Sequence, residues 1–244
     1  MPVQYFSKIP SKNSYPCPRG SYLDVSRNLR PDANAISIAG FNTTIETTYE
    51  TVFRDGGGIY TFPGSALTMS LVSSSASDTM NVYLEGLDAN YAPINETVTL
   101  TGLTPVTTST QFFRINDARI LSGSNVGNIT ISNGGTTYAY IAAGLGMHQS
   151  LAYTTQAGVS LYVTQVDFTS GTINPNKYMT ARAKMIGGGV TYVFFQSSFV
   201  TSQLSYNMQV PFRVPEKTDF TIEAKSSSGE NELAVFLNGL LIED

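Results

Sequence analysis

One cysteine and one histidine occur among 244 residues, and each scarcity removes a class of chemistry. The single thiol, Cys17, forbids an intrachain disulfide, so the chain is expected to be made in a cytoplasm. A zinc site needs three or four Cys, His or carboxylate ligands, and Cys17 and His148 stand far apart. No apolar run reaches the roughly 18 residues of a membrane span, and the start Met1-Pro2-Val3-Gln4 lacks the basic and apolar regions of a secretory signal. A soluble chain with no membrane partner is expected. Charged residues make up 13% against 41% hydrophobic, with a net charge of −4. That balance excludes disorder of the highly charged kind. No Lys/Arg cluster is dense enough to neutralise a run of phosphates, so nucleic acid is not an expected partner.

What replaces charge is Thr, Ser and Asn, which favour strands and turns over helices. Residues 1–34 carry Pro2, Pro10, Pro16, Pro18 and Pro31, and proline blocks ladder hydrogen bonds. This segment reads as an extended arm with little regular structure. Tyr5, Phe6, Ile9, Tyr15, Tyr22 and Leu23 give it more apolar area than a free tail carries, so they are the candidate subunit contacts. From residue 35 the pattern is one of short strands broken by Gly40, Asp55-Gly56-Gly57-Gly58, Pro63-Gly64 and the run Ser73–Asp78. Thr97-Val98-Thr99-Leu100-Thr101 alternates as a half-buried strand does, and Asn133-Gly134 is a type I′ hairpin signal. After Gly144 a second series follows, with strands at Ser150–Thr154, Ser160–Thr169, Tyr178–Met185, Val190–Phe199, Gln209–Val214, Phe220–Lys225 and Glu232–Ile242. No long stretch has helical period.

Many short strands at near-regular spacing predict an all-β fold: an antiparallel β-sandwich, jelly-roll-like, built as one or two packed sandwiches. The favoured division is an arm at 1–34, a first sandwich unit at 35–143 and a second, jelly-roll-like unit at 144–244. Adjacent aromatics at Phe112-Phe113 and Phe194-Phe195 are expected on opposite sheet faces, one of each pair lying against a second layer or a neighbouring subunit.

The run Val82-Tyr83-Leu84-Glu85-Gly86-Leu87-Asp88, followed by Ile94-Asn95-Glu96-Thr97-Val98-Thr99-Leu100-Thr101-Gly102, resembles a pattern in virion structural proteins of marine tailed bacteriophages. Asn125–Ile131, Ser150–Val163 and Val214-Pro215-Glu216-Lys217-Thr218-Asp219-Phe220 with the closing Phe236–Ile242 are similar to further segments of that family. Gln156 stands where a proline is common, and Val159-Ser160 where Lys-Thr is common. The resemblance spans roughly residues 80 to 244 and leaves the N-terminal third uncovered. It implies a head decoration, collar or tail-vertex protein, located in the virion, with the major capsid protein or tail and collar proteins as partners.

Catalysis finds little support in one dimension. A Ser-His-Asp or Cys-His site must use His148, Cys17 sits between two prolines, and no Gly-x-Ser-x-Gly elbow occurs. Asp88, Asn90, Asn95, Glu96, Asn116 and Asp117 supply oxygens for calcium, yet without an Asp-x-Asp-x-Asp pattern they read as turn acids. Glycosidase chemistry needs two facing carboxylates, and Glu85, Asp117, Asp167 and Glu223 are not paired by spacing. Gly56–Gly58 and Gly187–Gly189 lack the Lys-Ser/Thr of a phosphate loop and read as hairpin turns. The expectation is therefore a non-enzymatic, cofactor-free, homo-oligomeric virion protein, first a capsid decoration or cement protein. The alternative is a collar, tail-vertex or fibre-like component with receptor- or glycan-binding loops at Ser73–Asp78 and Ile186–Val190.

Overall fold

The computed structural model describes residues 21–26, 29–55, 57–171 and 177–244. A short helix α1 (Ser21–Ser26) is followed by β1 (Ala33–Ile45), β2 (Glu50–Thr51), β3 (Ser70–Ser73), β4 (Asn81–Leu87) and β5 (Pro93–Thr99). Next come β6 (Val106–Thr107), β7 (Arg114–Ile120), β8 (Ile129–Asn133), β9 (Thr136–Ile141) and β10 (Ala152–Thr154). The chain closes with β11 (Val159–Ser170), β12 (Met179–Gly187), β13 (Val190–Phe199), β14 (Gln203–Val214), β15 (Asp219–Ser226) and β16 (Asn231–Glu243).

These strands form four antiparallel sheets. Two long ones, ordered β1-β16-β11-β14 and β10-β15-β12-β13, face each other, with β2 also paired to β15. Leu161, Val163, Val166 and Phe168 of β11 meet Ala181, Phe220 and Ile222 from the opposite sheet in one core. A bulge at Thr164 reverses the alternation within β11, which keeps both pairs of inward residues in that core. The two smaller sheets, β6-β3-β8-β9 and β5-β4-β7, enclose a second core around Leu71, Leu84, Phe112 and Ile129, all fully buried.

The chain enters the second core and leaves it through neighbouring strands. Leu151 N–H donates to Val52 O at 2.9 Å, and Arg54 N–H donates to Gln149 O at 3.1 Å. The units expected at 35–143 and 144–244 therefore do not follow the sheets. β1 and β2 precede residue 144, yet they pair with β16 and β15.

Local departures from the sequence reading have identifiable causes. Gly40 does not break a strand but lies inside β1, where a Cβ would come within 2.8 Å of Val52 O. The glycine permits close backbone approach, the second common reason for glycine in a strand. The segment 59–62, expected as a strand, has no ladder; Tyr60 is fixed instead by its amide on Thr51 Oγ1 at 2.8 Å and its hydroxyl on Tyr138 O at 3.0 Å. The turn expected at Asn133-Gly134 forms one residue later: Asn133 pairs with Thr136, and the two-residue loop is Gly134 and Gly135, at φ 57° and 83°. Gly188 and Gly189, at φ 58° and 78°, make the same kind of turn between β12 and β13. Within the expected arm, residues 21–26 are helical, and Val25 packs on Ala33 and Leu240.

Candidate binding surface

The edge strands β13 and β14 are consecutive in the chain but belong to opposite long sheets, so the core they flank is open between them. Both are bulged. Ala183 pairs with Phe195 and Lys184 with Val193, which leaves Phe194 as the extra residue of β13. On β14, Val163 pairs with Phe212 and Gln165 with Asn207, so Met208 to Pro211 loop out. Pro211 has no amide to donate, and edge strands tolerate that. These bulges re-aim side chains. Phe194 and Phe195, expected on opposite faces, both line the same groove.

The groove is a cavity of about 440 Å³ floored by Val166, Phe168 and Ile222. Phe194 stacks on Phe212 with centroids 3.9 Å apart and planes 4° from parallel. Phe195 meets Tyr206 edge-on at 5.0 Å, and the Tyr206 hydroxyl donates to Ser197 Oγ at 2.8 Å. Among the described residues no charged side chain lines it; Asn207 is its amide. Of its lining residues Val210 is 83% exposed, and Val193, next to Phe194 on β13, is 49% exposed. The surface is contiguous, apolar and edged by aromatics.

The residues singled out from sequence lie elsewhere. Cys17, Tyr5, Phe6, Ile9 and Tyr15 fall outside the described residues, as do the side chains of Tyr22 and Leu23, whose backbone is part of α1. His148 is a core residue: its ring packs edge-on against Phe53 at 5.6 Å, and Nδ1 accepts the Tyr140 amide at 3.2 Å. Burial pushes its pKa down to about 4, against a smaller upward pull from Tyr140 and Asp117. Among the described residues no cluster of three His, Cys, Asp or Glu side chains is placed to hold a metal.

The turn acids have structural employment. Asp88 Oδ1 accepts the amides of Asn90 and Ala92 at 2.8 and 2.9 Å, closing the β4–β5 turn. Glu96 ties down the loop after β6 through the Ser109 and Thr110 amides at 2.9 and 2.7 Å. Burial alone would raise the Glu96 carboxyl, but these bonds outweigh it and hold it below the usual range. Asn116 exchanges hydrogen bonds with the Thr154 backbone. Asp167 accepts from Ser205 and Gln165 on the outer face of β11.

Glu85 and Asp117 are direct cross-strand partners between β4 and β7, a pairing that spacing did not reveal. Arg119 answers it by pairing with Asp117 while lying 4.6 Å above the Tyr83 ring. Glu223 is on another sheet, fully buried, accepting Arg182 Nε and Lys184 Nζ at 2.7 Å each.

Two buried carboxylates matter that sequence reading passed over. Burial works against the charge of Asp78, yet it accepts Ser73 Oγ at 2.5 Å and the Val126 and Gly127 amides at 2.8 and 2.9 Å, which lower its pKa. The second, Asp219, opens β15 and receives Arg114 of β7 in a bidentate pair at 2.7 and 2.8 Å. Thr154 Oγ1 donates to the same carboxylate at 2.7 Å. Arg114 also donates to the Pro63 and Phe113 carbonyls and sits 3.8 Å over the Phe113 ring. The pair bolts the inserted core to the long sheets. Asp219 carries no sequence signal beyond its place in the Pro-Glu-Lys-Thr-Asp segment, and Arg114 carries none.

No family model matches the chain, and no curated protein matches it. Among solved structures, one of the infectious bursal disease virus Gx strain aligns over 87% of this chain and 73% of that chain, at 13% identity and a TM-score of 0.25. T=1 particles derived from infectious bursal disease virus align over 87% and 70%, at 11% identity and a TM-score of 0.22. At such scores the likeness carries no argument about fold or function.

Proposed function

We propose that this chain is a non-enzymatic structural protein of a tailed-phage virion, acting as a head decoration or cement protein that binds neighbouring shell subunits. The observation that carries the reading is the open β13/β14 groove, an apolar surface of aromatic residues with no charged group among the described residues of its lining. Each large apolar side chain moved from water into such a surface contributes roughly 1.5–3 kcal/mol, repeated at every copy. The resemblance of residues 80–244 to virion proteins supports the location, with the major capsid protein and further copies of this chain as partners.

The strand orders support a jelly-roll for the long sheets. Counted along the chain, with β2 and β10 sharing the second place beside β15, the sheets read 1-8-3-6 and 2-7-4-5. Two Greek keys wrapped on each other generate that order. The segment between Arg54 and Gln149 is then an insertion after the second strand, a lobe carried on the sandwich.

Gold-antibody labelling of intact virions from the phage that encodes the chain, with mass spectrometry of dissociated virions, tests the reading. Label over the whole head is the expected result. Label confined to one vertex or the tail overturns the decoration role. Absence of the protein from dissociated virions overturns the virion reading itself.

A further inference from the structure

We propose that the β13/β14 groove receives residues 3–9 of a second copy of this chain, which add alongside an open sheet edge and place apolar side chains in the cavity. The inference rests on the reading of the chain as a self-associating structural protein. Three observations converge on this occupant.

The first is pattern. Val3-Gln4-Tyr5-Phe6-Ser7-Lys8-Ile9 is a proline-free run between Pro2 and Pro10 in which Val3, Tyr5 and Ile9 share one face of an extended chain. Among the described residues β13 and β14 each pair with one strand only, β12 and β11, which makes both edge strands. An extended segment docking on such an edge gains main-chain hydrogen bonds and seats alternate side chains in pockets.

The second is charge. Residues 1–20 carry Lys8, Lys12 and Arg19 and no acid, a charge of +3, so a whole-chain charge of −4 leaves −7 on the rest. A basic arm is drawn to an acidic body, and a groove without charges imposes no like-charge penalty on Lys8.

The third is placement. The arm leads into α1, which packs through Val25 on Ala33 and Leu240 beside β1. Tyr162 of β11 and Ile242 of β16 pack on the same cluster, so α1 lies on the outer face of the sheet β1-β16-β11-β14. The arm therefore starts on the face turned away from its own groove. A neighbour set edge to edge presents its groove directly, in a head-to-tail contact.

The test uses the full chain with Phe6 replaced by photoactivatable benzoylphenylalanine, prepared in ¹⁵N-labelled and unlabelled forms, mixed and irradiated. Crosslinks from position 6 to β13 or β14 peptides that join the two isotopic forms are expected. The double variant Val193→Asp/Val210→Asp, altering the exposed lining residue Val210 and the exposed β13 residue next to Phe194, is expected to lower the yield roughly tenfold or more. Circular dichroism and the melting curve of that variant report whether it folds. Crosslinks within single isotopic forms, crosslinks elsewhere on the body, or none at all overturn the inference. So does an unchanged yield in the folded double variant. Virion labelling is a separate measurement, so mixed crosslinks on a protein absent from virions would sink the location and leave the docking intact.

Discussion

The inserted core and the core between the long sheets are made from the same residue types, Leu, Ile, Val and Phe in alternating strands, yet they meet solvent differently. In the inserted lobe Met69, Leu71, Leu84, Phe112 and Ile131 are fully buried, and the loops around them are tied down by Asp78 and Glu96 through backbone amides. In the long-sheet core the same packing runs from Leu233 to Phe168 and then stops at β13 and β14, where Phe194, Phe195 and Phe212 are only partly covered. The difference lies in the edges. Carboxylate–amide bonds close one core, whereas two bulges and Pro211 splay the other. An apolar interior is thus held open by backbone irregularity, and it is this opening that is proposed as an interface.

The sharpest way to break the comparison is at the bolt between the cores. Arg114→Ala leaves Asp219 buried and unpaired and is expected to cost about 3–5 kcal/mol, measured by urea unfolding. A loss under 1 kcal/mol would show that the pair is not what joins the lobe to the sheets. The two cores are next compared directly by truncating an aromatic in each. Phe112→Ala, in the sealed lobe, is expected to cost about 3–5 kcal/mol. Phe212→Ala, on a ring already facing the groove, is expected to cost about 1 kcal/mol and to impair self-association instead. Equal losses would mean the groove is filled core rather than surface.

His148 sharpens the same contrast through pH. Its folded pKa of about 4 lies below the ordinary 6.5 because burial disfavours the imidazolium. Between those values the unfolded chain binds a proton that the folded chain does not, so stability falls as pH drops from about 6.5 toward 4. The full loss is roughly 3 kcal/mol. Below that window the depressed Asp78 and Glu96 carboxyls take over, and their contributions are lost as pH falls through their folded pKa values. His148→Gln is expected to flatten the slope between pH 6.5 and 4, leaving the acid limb in place. The smallest effect on stability is expected from Val210→Asp, within about 0.5 kcal/mol at a residue 83% exposed, even though association should weaken.

Sequence alone determined that this protein is built of antiparallel strands and where most of them run. Val190–Phe199 matches β13 residue for residue, and the glycine pairs at 134–135 and 188–189 make the turns their φ freedom permits. These are local matters, fixed by alternation and by backbone conformations only glycine adopts easily. Four features were left to tertiary structure: the pairing of β1 with β16, the return of the chain beside itself at Arg54 and Gln149, the meeting of Arg114 with Asp219, and the shared face of Phe194 and Phe195. Each depends on which strands become neighbours or on a single extra residue in a ladder. A one-residue bulge reverses every side chain beyond it while leaving the sequence pattern unchanged, and that is why the groove had no signature along the chain.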